Sequence, residues 1–222
     1  MYIYGTLNQA DKGRRWAAVN TTIGTGIAGP ADNNTAPTQT TALFALYNNS
    51  GVGLASGVVP PGRVIYPDYL KLIVTAAGTG AAGRLAFAID TAQRGVTADS
   101  GTVKTNADTD ALGDASANTS AATSISFLQF GNLTVSAASS KRRFVSNDYL
   151  FTRTLQTGDE ILILFNQMEV GLGNSAAAAA ASFRTVPIGL VTLGPGGLLL
   201  GHLYNFSAAP SFEYEAGWWE LS

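Results

Sequence analysis

The sequence predicts an all-β fold: a jelly-roll-like antiparallel β-sandwich with an extended N-terminal arm. Three observations predict it. Short apolar or alternating segments, about eight to ten of them, recur along the chain. Turn signals rich in Gly, Pro, Asn and Asp separate them. No stretch shows the 3.6-residue apolar period of an amphipathic helix.

The elements follow in chain order. Residues 1–40 are expected to be an arm with extended segments. Trp16-Ala17-Ala18-Val19 forms a short strand, then Gly24, Gly26, Gly29, Pro30 and Pro37 lie among Thr and Asn, a composition for looping chain. Residues 41–222 are expected to form one sandwich domain. Thr41 to Tyr47 is short and apolar. Arg63 to Ala76 reads as one long or two short strands broken at Pro67, which cannot donate to a ladder. In Arg84 to Asp90, Leu85, Phe87 and Ile89 share one face, as period two requires. Residues 92–124 are polar and without core residues, a long loop. Phe127 to Val135 is a strand with Gly131 at a bulge. Arg143 to Leu155 and Glu160 to Phe165 flank a turn at Gln156-Thr157-Gly158-Asp159. The alanine run at 175–182 has room for a turn or two of helix. Thr185 to Leu193 and Leu198 to Tyr204 flank Gly194-Pro195-Gly196-Gly197, the clearest turn in the chain. Phe212 and Tyr214 alternate with Glu213 and Glu215, which suits the core face of a closing strand; Trp218 and Trp219 fit core or surface equally. Residues 63–70 and 143–150 echo each other, which fits two Greek-key halves or coincidence in a low-complexity chain equally well.

Composition narrows function. Of the 222 residues, 13% are charged, against about 25% in a typical domain. There is no cysteine and one histidine, His202. Groups that do chemistry near neutral pH are scarce, which argues against an enzyme. A neutral surface rich in Ala, Thr, Ser and Gly suits packing against other protein, because interface cores are depleted of charge. The net charge of −2 gives no basic face for nucleic acid. No apolar run is long enough for a membrane span, and the start lacks the features of a signal peptide, so synthesis and use without export are expected.

Candidate motifs fail on context. Gly24 to Gly29 and Gly78 to Gly83 both match G-x-G-x-x-G, but neither is followed by the helix whose N–H groups would hold a pyrophosphate. Asn106 to Asp114 suggests a calcium loop, yet Ala111 and Ala117 stand where Gly and Glu are needed. His202 lacks any spacing that marks triad partners, and no two of Glu160, Glu169, Glu213, Glu215 and Glu220 stand out as a glycosidase pair. No catalytic residue, cofactor or metal ligand is therefore assigned. Two basic clusters remain: Lys12, Arg14 and Arg15 beside Trp16, and Lys141-Arg142-Arg143. Arg is enriched at interfaces and Lys is depleted. Lys12, Arg14, Arg15 and Trp16 are read as a partner-binding anchor in the arm, and the second cluster as solubilising charge.

Val64 to Thr79, then Leu85 to Asp90, with Ala42 to Asn49 before them, resemble structural proteins of tailed bacteriophages. The nearest likeness is to the jelly-roll cement or decoration proteins on phage heads. It covers residues 41–91 by motif and the rest by composition. The resemblance implies a non-enzymatic virion protein on the capsid exterior, made in the host cytoplasm, clamping major capsid subunits and associating with itself as a dimer or trimer. It implies no direct contact with nucleic acid or membrane. Competing readings are a carbohydrate- or receptor-binding module of a tail fibre or spike, with Trp218, Trp219 or Tyr204 exposed in a groove; a small jelly-roll shell protein; and a hydrolase.

Overall fold

A computed structural model describes residues 15–50, 63–79, 83–101, 103–106, 125–146, 149–151, 153–166 and 183–221. The described residues form strands, turns and coil and no helix. The calcium-like loop beyond Asn106 and the alanine run fall outside them.

Eight strands build the frame: β1 (Arg15–Val19), β3 (Thr41–Asn48), β4 (Val64–Ala76), β5 (Arg84–Asp90), β8 (Arg143–Phe144), β10 (Glu160–Phe165), β12 (Leu198–Tyr204) and β13 (Ser211–Leu221). They pair in nested order, all antiparallel: β1 with β13, β3 with β12, β4 with β10, and β5 with β8. First pairs with last and second with next to last, as in one long hairpin folded over itself, which generates a jelly roll. The outermost and third pairs join through β13 and β4 into sheet A, and the other two join through β12 and β5 into sheet B.

Further strands extend this frame. β6 (Val103–Asn106) and β7 (Ser126–Thr134) add to the free edges of β1 and β3, widening both sheets. β11 (Phe183–Ile188) runs parallel to β10. β2 (Ile27–Ala28) pairs with β13, and β9 (Tyr149–Leu150) with β5.

The inner faces form the main core, with Phe44, Leu72, Phe87, Ile163, Phe212 and Trp218 fully buried. Each such side chain contributes roughly 1.5–3 kcal/mol. Leu85, Phe87 and Ile89 point inward together, as period two requires. Sheet B is buried on its outer face too: Ala45, Tyr47, Leu198 and Leu200 pack with Val96, Leu133 and Val135. This explains why Thr41 to Tyr47 and Leu198 to Tyr204 are apolar at nearly every position. Val96 thus gives the expected core-free loop a core residue, and β6 gives it a strand.

Two strands carry bulges and one expected strand is broken. β4 is continuous through Pro67, because the register skips Asp68 opposite Gly217 and Trp218, and a bulge tolerates the missing N–H. Gly131 does sit at a bulge: two residues of β7 oppose Leu43, and its φ is 125°. The segment expected as one strand from Arg143 is broken into β8 and β9. The sequence echo therefore marks no equivalence, since residues 63–70 run into a long strand of sheet A and 143–150 edge sheet B.

Candidate functional site

Of the expected anchor, Lys12 and Arg14 lie outside the described residues. Arg15 and Trp16 belong to β1, inside sheet A between β13 and β6. Alternation turns Trp16 inward, where it is 5% exposed, and Arg15 outward, where its guanidinium lies 5.4 Å from the Trp219 ring centroid and 3.7 Å from Asp68. Trp16 is a core residue rather than a displayed anchor, and residues 15–19 are sandwich rather than arm.

The second basic cluster lies at a groove of about 340 Å³ at one end of sheet B. One wall is the Gly194 to Gly197 turn. Gly196 takes the positive φ it needs, and Gly197 N–H donates to Gly194 O at 2.8 Å. Buried Asn48 pins this wall: its Nδ2 donates to Leu193 O and Arg63 O, both at 2.8 Å, while its backbone exchanges bonds with Gly196 and Gly197. The other wall is the segment from Ser139 to Arg143. Buried Asp90, at the end of β5, pins it by accepting from Ser139 N–H at 3.0 Å and from the Ser139 hydroxyl. Asp90 also accepts from the N–H of Thr91 and Ala92, and Lys141 N–H donates to Ser139 Oγ. Ile89, Leu193 and Pro195 supply apolar lining; Lys141 and Arg143, both exposed, supply charge.

Asn48 and Asp90 were missed as site residues. Their signal was legible: each ends an apolar strand and closes a turn onto the N–H two residues on, Asn48 to Ser50 and Asp90 to Ala92.

The electrostatics are one-sided. Among the described residues no carboxylate forms an ion pair with Lys141, Arg142 or Arg143. Arg142 lies over the Phe144 ring at 4.9 Å, and its Nη1 is buried without an acceptor. Phe144 is 44% exposed. Behind the wall, buried Arg94 donates from Nε to Ser136 O at 2.8 Å and from Nη2 to Gln39 O, with Nη1 3.8 Å from Asp90. Burial pushes the Arg94 pKa down, Asp90 opposes this, and Arg142 adds to it. Burial alone would raise the Asp90 pKa, but the four bonds from Ser139, Ala92 and Thr91 outweigh it and hold the carboxyl below its ordinary value.

The other chemical candidates hold structural positions. His202 is 1% exposed, on the outer face of sheet B. Its Nδ1 lies 2.7 Å from Thr41 O, and a carbonyl only accepts, so Nδ1 carries the proton. Burial pushes its pKa down to about 4. Glu220 is buried, accepting from Ser126 Oγ, Ile125 N–H and Trp218 Nε1. No group of three or more His, Cys, Asp or Glu residues could hold a metal among the described residues. β2 lies within the first G-x-G-x-x-G match and β5 follows the second, so neither opens a helix. Trp218 and Tyr204 are buried and Trp219 is half-buried beside Arg15, which removes the main support for a sugar platform.

The outer face of sheet A has a different character. Tyr69 donates to Glu215, Lys71 pairs with Glu160 at 3.1 Å, and Glu213 accepts from Gly24 N–H. Burial first, and then Glu215, push the Tyr69 phenol upward, so it remains a donor.

No protein-family model matches the chain, and no curated protein matches it. Among solved structures the chain is similar to a structure of deformed wing virus carrying the GFP gene, at 12% identity and a TM-score of 0.27, covering 94% of this chain and 77% of that one. At that TM-score the likeness carries no weight for function.

Proposed function

We propose that this chain is a non-enzymatic virion structural protein, a decoration or cement protein that binds major capsid subunits from outside and stabilises the head, acting as a small homo-oligomer. The observation that carries this reading is the nested pairing of eight strands into a jelly roll with sheet B sealed on both faces. Among the described residues the buried ionisable groups, Asp32, Asp90, Arg94, Asp159, His202 and Glu220, are engaged in holding loops and strands together. The resemblance across residues 41–91 and the low charge support the same role, since a rigid neutral body presents geometry rather than chemistry. A clamp needs only a modest interface per copy, on the order of 1,000 Å², and multiple contacts add avidity.

The complete jelly roll equally favours a second reading, a small shell protein that builds a capsid by itself. Mixing purified protein with undecorated phage heads separates the two. Saturation at regular lattice positions supports the decoration role; closed particles formed by the chain alone support the shell role. Absence of both contradicts the proposal.

A further inference from the structure

We propose that the groove between the Gly194–Gly197 turn and the Lys141–Arg143 segment docks an acidic, extended segment of a protein partner. This rests on the coat reading above, under which the partner is the capsid subunit. Three cations in succession without a counter-charge are unusual in a chain of net charge −2. Lys141 and Arg143 flank the opening, both exposed. Carboxylates would supply the counter-charge to Lys141 and Arg143, and Arg pairs with them bidentately.

The shape argues for peptide. The lining by Ile89, Leu193 and Pro195 accepts aliphatic side chains between the acidic ones. The walls are fixed by Asn48 and Asp90, so little ordering entropy is lost on docking. Nucleic acid is disfavoured. Its affinity comes from many phosphate contacts, whereas the basic character here is confined to three residues, and Glu213 and Glu215 stand on the outer face of sheet A.

The test compares the parent with K141E/R143E and K141Q/R143Q. Both side chains are exposed, so each variant should melt as the parent does. The probes are a labelled peptide of Glu and Leu, a Lys and Leu counterpart, a single-stranded oligonucleotide, and undecorated heads. The proposal predicts salt-sensitive binding of the acidic peptide alone. It predicts weakening of peptide and head binding on the order of tenfold in K141E/R143E, and a smaller loss in K141Q/R143Q. Head binding by K141E/R143E equal to the parent's overturns it, as does oligonucleotide binding as tight as peptide binding. A parent that binds the acidic peptide but no heads contradicts the coat reading while upholding the groove; one that binds heads but not the peptide does the reverse.

Discussion

Protonating His202 would place a positive charge in a buried site near Arg94 and Arg142, a penalty that the hydrogen bond to the Thr41 carbonyl and the charge of Asp32 oppose without overcoming the burial. Its pKa falls from 6.5 in the unfolded chain to about 4 in the fold. Between those values the unfolded state binds the extra proton, so stability declines as pH drops through that window. The full effect below pH 4 is about 3 kcal/mol, and about 2 kcal/mol at pH 5. Asp90 adds little slope there, because its depressed pKa puts its own loss at more acid pH. Urea denaturation of the parent and His202→Gln from pH 7.5 to 4.5 checks this: the parent should lose more stability with acid than the variant, and parallel profiles would refute it. Asp90→Ala should cost about 3 kcal/mol in the same measurement, since it leaves Arg94 buried without its carboxylate and four backbone or hydroxyl donors unmatched. The strand that carries His202 is legible in the sequence, but the burial of the ring is not, because the side chains that cover sheet B come from Val96, Leu133 and Val135, far along the chain.

At the scale of elements, β1 is the strand whose role the sequence obscured. Five residues, RWAAV, give a weak period-two signal, and the Gly- and Asn-rich chain after them resembles an arm. The pairing of Trp16 with Trp218 on β13 decides the matter at long range. Trp16→Ala should therefore cost about 3–5 kcal/mol, read as a shift in denaturation midpoint. Deleting residues 1–20 should unfold the body rather than merely weaken docking; a truncated protein with the parent's melting temperature would contradict this. Gly131→Ala should cost about 1–3 kcal/mol in the same assay, because φ of 125° suits only glycine and the added Cβ would stand 2.8 Å from Ile27 Cγ2. The long strands β3, β4, β5, β7, β10, β12 and β13 were legible because each is at least six residues long and carries either an apolar run or apolar residues at alternate positions. β6, β8 and β9 were not, since two to four residues carry no period and their pairing is set by the neighbouring edge.

For the whole molecule, the sandwich class follows from local pattern, whereas the nested strand order arises from contacts between chain ends and has no local signature. The same holds for the groove. Lys141 and Arg143 read as ordinary surface charge until the fold sets them beside the Gly-Pro-Gly-Gly turn, about fifty residues away in sequence, where the lining carboxylate, Asp90, is buried and taken up by Thr91, Ala92 and Ser139. Charge reversal at Lys141 and Arg143 should lower affinity and its salt dependence together, leaving the melting temperature unchanged. A rigid body sealed on one sheet and presenting a basic groove suits attachment to a protein lattice. Titrating undecorated heads with purified protein, and imaging the product, tests that role most directly. Occupancy should rise to a plateau at a single class of symmetry-related sites; binding that never saturates, or heads that stay bare at every concentration, would contradict the account.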